Sequence, residues 1–145
     1  MKRAFVADAS VAIAWVHPSQ ATAETDAMLD DLAAGGSLVV PALWPLEVAN
    51  ALTVLRRRRK LTSDEARTAI EIIRELPTVI DHEAAAIAFT RLVDLASEHE
   101  LTVYDATYIE LATRRQLPLA SNDARMKQAA IRSGADLWQR DTPEK

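Results

Sequence analysis

Short apolar runs alternate with stretches of helical periodicity along this chain, and that alternation restricts the fold more than any other feature. Ala4 to Ala7, Leu38 to Val40, Thr78 to Ile80 and Leu117 to Ala120 have the length and apolar character of buried strands. Strands separated by one or two helices do not readily pair as hairpins. The sheet is therefore expected to be mainly parallel, with right-handed crossovers and helices on both faces. Ala135 to Trp138 is a candidate fifth strand. The pattern predicts a three-layer α/β architecture around a short sheet of four or five strands, with residues 1–139 as one domain and 140–145 as a loose polar tail.

The intervening segments carry their own start and stop signals. A helix beginning near Ser10 carries Val11, Ile13 and Trp15; another, with Met28, Leu29, Leu32 and Ala33, stops at Gly35-Gly36, a pair able to supply a left-handed cap. Pro41 and Pro45 bracket the next turn, and Pro45 suits the first turn of a helix whose Val48, Leu52 and Leu55 face inward. Thr62 and Glu65 form a capping-box pattern ahead of Ala66, Ala69, Ile70 and Ile73, and Pro77 ends that helix. Asp81 is expected to cap a helix with Ala85, Ala88, Phe89, Leu92 and Leu95 on its apolar face. A helix from about Val103 aligns Tyr104, Tyr108 and Leu111, and Asn122 or Asp123 opens one that ends at Gly134.

Four carboxylates, Asp8, Glu47, Asp105 and Asp123, fall where a strand gives way to a helix or just inside a helix start. In an open parallel sheet such positions gather outside the carboxyl ends of the strands, where ligands bind. Taken singly, Asp8, Asp105 and Asp123 have an ordinary account as helix caps, and Glu47 as a solvated side chain sharing a helix face with Asn50. Taken together they imply an acidic pocket. Two ionised carboxylates about 4 Å apart repel by roughly 4 kcal/mol at an effective dielectric near 20, so such a set calls for a cation or for shared protons. Oxygen ligands without clustered His suit Mg²⁺ or Mn²⁺, ions that activate water and neutralise charge on a phosphodiester.

Composition narrows the classes. With 145 residues, 49% hydrophobic and 26% charged, the chain fits one globular domain with a real core and neither a disordered nor a membrane protein. It contains no cysteine, so disulfides, thiolate zinc sites and a cysteine nucleophile are absent together. Met1-Lys2-Arg3 and the apolar residues after it imitate a signal peptide only until Asp8 interrupts the run, and a cytoplasmic protein is expected. A formal net charge of −4 argues against a generic DNA coater, because non-specific binding is driven by phosphate neutralisation.

Phe5-Val6-Ala7-Asp8-Ala9-Ser10, Pro41 with Glu47-Val48-Ala49-Asn50-Ala51-Leu52, Tyr104-Asp105-Ala106-Thr107-Tyr108 and Leu119-Ala120-Ser121-Asn122-Asp123 together resemble, in order and spacing, the PIN-domain proteins, over nearly the whole chain. Among these the sequence looks like a VapC-type toxin ribonuclease of a toxin–antitoxin pair. The resemblance implies a PIN-like fold and endonucleolytic cleavage of RNA. It also implies a metal site of Asp8, Glu47, Asp105 and Asp123 supported by Ser10, Asn50 and Ser121, a cognate antitoxin, and pairing as a homodimer. Where Ser121 stands the family often has Thr, which keeps the hydroxyl.

Other features are weighed beside that constellation. Arg56 to Arg59 with Lys60 form the one dense basic run; its plain role is a solvated helix end, and Arg56 lies roughly 13 Å along the helix from Glu47, too far to hold the scissile phosphate. Flanking RNA, a symmetry-related subunit or an acidic peptide are within its reach. Arg125, two residues after Asp123, is the candidate phosphate contact. Trp44 and Tyr108 are aromatic candidates for base stacking, with core packing the commoner role, and His99 is assigned no chemistry. Two other functions compete: a Mg²⁺-binding phosphoacceptor signalling domain, which expects paired acids after the first strand and a lysine after a late one, and a catalytically silent interaction protein with the same fold.

Overall fold

The computed structural model describes residues 3–140; of the tail expected at 140–145, residues 141–145 lie outside the described residues. Among the described residues four strands form one sheet: β1 (Ala4–Ala7), β2 (Ser37–Pro41), β3 (Thr78–Asp81) and β4 (Leu119–Ala120). Their order is β3-β2-β1-β4, and every pairing is parallel. Phe5 stands opposite Leu38, Val6 opposite both Val39 and Leu119, and Pro41 opposite Asp81. Phe5, Val6, Leu38 and Val40 are wholly buried, as strands covered on both faces must be. The expected fifth strand reduces to one parallel bridge between Leu137 and Leu119. Trp138 accounts for that segment: its indole N–H donates to Asp31, and Arg3 stacks over its ring, so the chain is held by side chains beside β4.

The helices follow their capping signals. Asp8 caps α1 (Ala9–Val16), and Thr22 and Thr25 form a capping box on α2 (Ala23–Ala33). Gly35 then turns left-handed with φ 99°. Gly36 serves close approach instead, since a Cβ there would lie 2.3 Å from the Arg3 carbonyl oxygen. Pro45 sits in the first turn of α3 (Trp44–Arg57), and the Thr62–Glu65 capping box opens α4 (Ser63–Glu75). Of the stripe expected on α4, Ala66 and Ala69 are buried, whereas Ile70 is on the surface.

The segment after β3 departs from expectation. α5 (Ala84–Ile87) runs through a π-helical turn, Ala88–Leu92, into α6 (Val93–His99). The wider turn shifts the inward face, so Ile87, Leu92 and Ala96 are buried while Phe89 is 93% exposed. Asp81 does not cap this helix in the manner expected. It is drawn instead to Arg114 and Arg115 on α7 (Val103–Arg115), while its Oδ1 also accepts the Glu83 N–H. α7 is the central helix, packed on β1 and β2 with Ala106 to Ala112 buried; Tyr104, one turn earlier than Tyr108, is exposed. α8 (Ala124–Arg132) starts at its cap, Asp123.

Candidate active site

The strand order reverses at β1, whose neighbours are β2 on one side and β4 on the other, so the crevice at its carboxyl end is the topological switch point. Asp8 emerges there. Its backbone N–H donates to the Ala120 carbonyl at 3.2 Å, and its carboxylate caps α1 through the Val11 N–H. The hydroxyls of Ser10 and Ser121 donate to Oδ1 and Oδ2, each at 2.5 Å. Those hydroxyls receive in turn the backbone N–H groups of Asn122 and Asp123. With a donor on the acceptor side of each serine, both hydroxyl protons are directed at Asp8. Burial nevertheless raises the Asp8 carboxyl above its ordinary value, outweighing these bonds.

The other acids arrive from helix starts. Glu47, in the first turn of α3, is half-buried and accepts the Tyr108 hydroxyl on Oε1 at 2.5 Å. It is raised by burial and, to a lesser degree, by the charges of Asp105 and Asp8, against the pull of the Tyr108 bond. Tyr108 is itself pushed far above the usual phenol range by burial and by Glu47, so it remains a neutral donor. Asp105 opens α7, where Thr102 caps its N–H at 3.0 Å; burial and then the charges of Asp123 and Asp8 raise it, with Arg125 opposing. Asp123 is exposed at the start of α8, its Oδ1 accepting the Arg125 N–H. A cleft of about 90 Å³ runs between Asp105, Asp123, Thr102, Glu100 and Arg125.

Glu47 thus feels Asp105 and Asp8, and Asp105 feels Asp123 and Asp8. Ser10 and Ser121 hold Asp8. Asn50 lies exposed on α3 with no hydrogen bond to the acids among the described residues. Arg125 borders the acidic cleft, its guanidinium reaching the Glu100 carbonyl at 3.4 Å. Trp44 and Tyr108 are buried and offer no face to a base. His99 bonds to Ser133, and residues 56–60 of the basic run are all exposed. Two contributors were not singled out from the sequence, Thr102 and the Tyr108 hydroxyl. Thr102 precedes Asp105 by the same three-residue spacing that marks Thr62 and Glu65, and Tyr108 follows Asp105 at the spacing that shares a helix face.

The donor set is oxygen throughout. Among the described residues no three His, Cys, Asp or Glu side chains already stand in ion-binding positions. Neighbouring acids are near enough to raise Glu47 and Asp105 without closing a cage. That suits a hard cation bound by a few carboxylates and its own waters, and fits it better than an ion demanding a complete protein shell.

Fold and site together define an α/β domain with an acidic crevice at the switch point of a parallel sheet. The PIN domain profile matches residues 5–132, and the chain belongs to the PIN domain family. Ribonuclease VapC1 of Mycobacterium tuberculosis, in strains CDC 1551 / Oshkosh and ATCC 25618 / H37Rv, is 32% identical over 93 residues, which cover 61% of this chain. The match spans 65% of the length of those relatives. Among solved structures, PAE2754 from Pyrobaculum aerophilum shares the fold with a TM-score of 0.59 at 21% identity, over 92% of this chain and 97% of that one. Membership of the PIN family removes the phosphoacceptor alternative.

Proposed function

We propose that this protein is a metal-dependent endoribonuclease and the toxin of a type II toxin–antitoxin pair. The observation that carries the reading is geometric: Asp8, Glu47 and Asp105, buried or half-buried acids from three separate elements, gather at one crevice, where burial first and then neighbouring acids raise Glu47 and Asp105. Similarity to Ribonuclease VapC1 supports RNA as the substrate. Asp8, Glu47, Asp105 and Asp123 would hold Mg²⁺ or Mn²⁺, with Ser10 and Ser121 fixing Asp8 and with Asn50, three residues after Glu47 on α3, as a third supporting residue. Such an ion supplies water activation and charge neutralisation at a phosphodiester. The chain's own part is to align: the two serines hold both oxygens of Asp8, Thr102 sets the start of α7 under Asp105, and Arg125 offers a cation beside the cleft for a substrate phosphate.

Its partners follow from the same reading. A nuclease of this kind is silenced by an antitoxin whose tail brings an Arg or Lys to the acids and apolar anchors to the helix surfaces. The chain pairs as a homodimer, for which Leu46, Phe89, Tyr104 and Ile131 offer apolar surface. No described helix is long and apolar enough to cross a membrane, and an RNA substrate supports a cytoplasmic location. The test is purification free of any partner, then RNA cleavage with Mg²⁺ or Mn²⁺ and with chelator. Cleavage that persists in chelator refutes the metal reading, and no cleavage in any metal supports the silent interaction protein. Separate and joint expression with the neighbouring reading frame tests the antitoxin, and light scattering over concentration tests the dimer.

A further inference from the structure

Glu47 differs from Asp8 in how it is held. Asp8 has two hydroxyls and a backbone N–H on its carboxylate, whereas Glu47 has one hydrogen bond among the described residues, from Tyr108. That bond joins α3 to α7 across 61 residues of sequence. Tyr108 is 1% exposed, so its hydroxyl has no solvent alternative, and its ring is fixed in the core three residues after Asp105. A glutamate has three side-chain torsions to order, and this is the only described contact that orders them at its charged end. Oε1 is taken by the phenol; Oε2 has no hydrogen-bond partner among the described residues.

We infer that Tyr108 is a positioning residue for the ion site: its hydroxyl fixes one oxygen of Glu47 and leaves the other to the cation. This rests on the metal-dependent reading above. The residue touches neither substrate nor ion. It acts as the outer partners of metal ligands do, by removing the freedom of a ligating side chain before the ion arrives. Because Asp105 and Tyr108 lie on one face of α7, a single rigid helix sets one acid directly and a second through its hydroxyl.

The alternative is that a buried phenol has merely found an acceptor, in which case the bond serves the fold alone. The two are separated by Mn²⁺ binding to the purified protein, followed by electron paramagnetic resonance of the free ion, with no RNA present. Tyr108→Phe should weaken Mn²⁺ binding roughly tenfold. In a Glu47→Gln background the same change should cost nothing further, since the oxygen it positions is no longer a charged ligand. If Tyr108→Phe proves too unstable to titrate, Tyr108→Met, an adaptable apolar filler that also lacks the hydroxyl, is titrated in its place and carries the same expected loss. Wild-type affinity in the variant titrated, or an equal loss with and without the Glu47 carboxylate, overturns the inference. Absence of Mn²⁺ binding by the wild type would instead overturn the metal-dependent reading on which it rests.

Discussion

Asp81 and Asp8 occupy equivalent places, one closing β3 and the other directly following β1, and both are buried. Their surroundings are opposite. Asp81 receives two bonds from the Arg114 guanidinium, at 2.8 and 3.0 Å, and another from Arg115 at 2.9 Å. Led by Arg114, these hold its carboxyl well below the usual carboxylate range despite burial. Arg114 also grips Glu110 at 2.7 Å, and its own pKa is raised, first by Asp81. Asp8 receives serine hydroxyls, and the charged groups that couple to it, Glu47 and Asp105, are acids. One strand end carries its countercharge in the sequence. At the other, no cation bonds to the carboxylate of Asp8 among the described residues, and the proposed metal ion would supply that charge.

The contrast is broken most sharply by exchanging the two losses. Asp8→Asn keeps size and removes charge, so RNA cleavage should fall at least roughly 100-fold while the protein stays folded. Asp81→Asn should leave the rate per folded molecule near wild type. Cleavage rates normalised to folded protein decide it; a silent Asp81→Asn beside an active Asp8→Asn would invert the assignment.

Stability should show the reverse pattern. Arg114→Ala strands Asp81 and Glu110 without their main cation, and breaking a buried pair costs about 3–5 kcal/mol. Arg114 is 25% exposed, which reduces the expectation to about 3 kcal/mol. Urea denaturation measures it. A loss below about 1 kcal/mol would mean solvent already screens the cluster.

These two regions were unequally legible in the sequence. The acids at the switch point were visible because each belongs to a local signal: Asp8 and Asp123 cap helices, and Glu47 and Asp105 sit in first turns. The strands too announced themselves as apolar runs, and the parallel sheet followed from the helices between them. The Asp81 cluster was not legible, because its partners lie 33 and 34 residues away on another helix and no local pattern links them. Asp81 looked like a cap for the same reason. Helical periodicity presumes 3.6 residues per turn and so places Phe89 inward, but the π turn at Ala88–Leu92 breaks that count where nothing in the sequence announces it. Tyr108 was legible as core but not as a donor, since burial says nothing of where a hydroxyl points.

Adding the missing countercharge sharpens the comparison further. Mn²⁺ or Mg²⁺ at a hundredfold excess over its dissociation constant should stabilise the wild type by about 2.7 kcal/mol. Asp105→Asn should lose most of that gain, whereas Arg114→Ala should keep it on its lower baseline. Melting temperatures with and without chelator give the result, and an equal gain in Asp105→Asn would move the ion elsewhere.

The smallest expected effect is in pH, because Glu47 and Asp105 are only half-buried and solvent screens them. The carboxyls of Asp8, Glu47 and Asp105 are raised on folding, so between the unfolded value, about 4, and their folded values the native state binds more protons than the unfolded chain. Stability of the metal-free protein should therefore fall as pH rises through that window, and increase on mild acidification from neutrality. Below about 4 the sign reverses. Asp81 is depressed on folding, so its contribution is complete above the unfolded value and is lost as pH falls towards its folded value. In the metal-free protein the contribution of these three acids should therefore grow as pH falls towards their unfolded value, while that of Asp81 is lost below it. With saturating Mn²⁺ the upper limb should invert, since acidification then displaces an ion that holds the folded state. Urea midpoints between pH 3 and 8, in chelator and in Mn²⁺, test both limbs. A metal-free midpoint that climbs steadily to pH 8 would show that the acids at the switch point already have their countercharge, and the contrast with Asp81 would collapse.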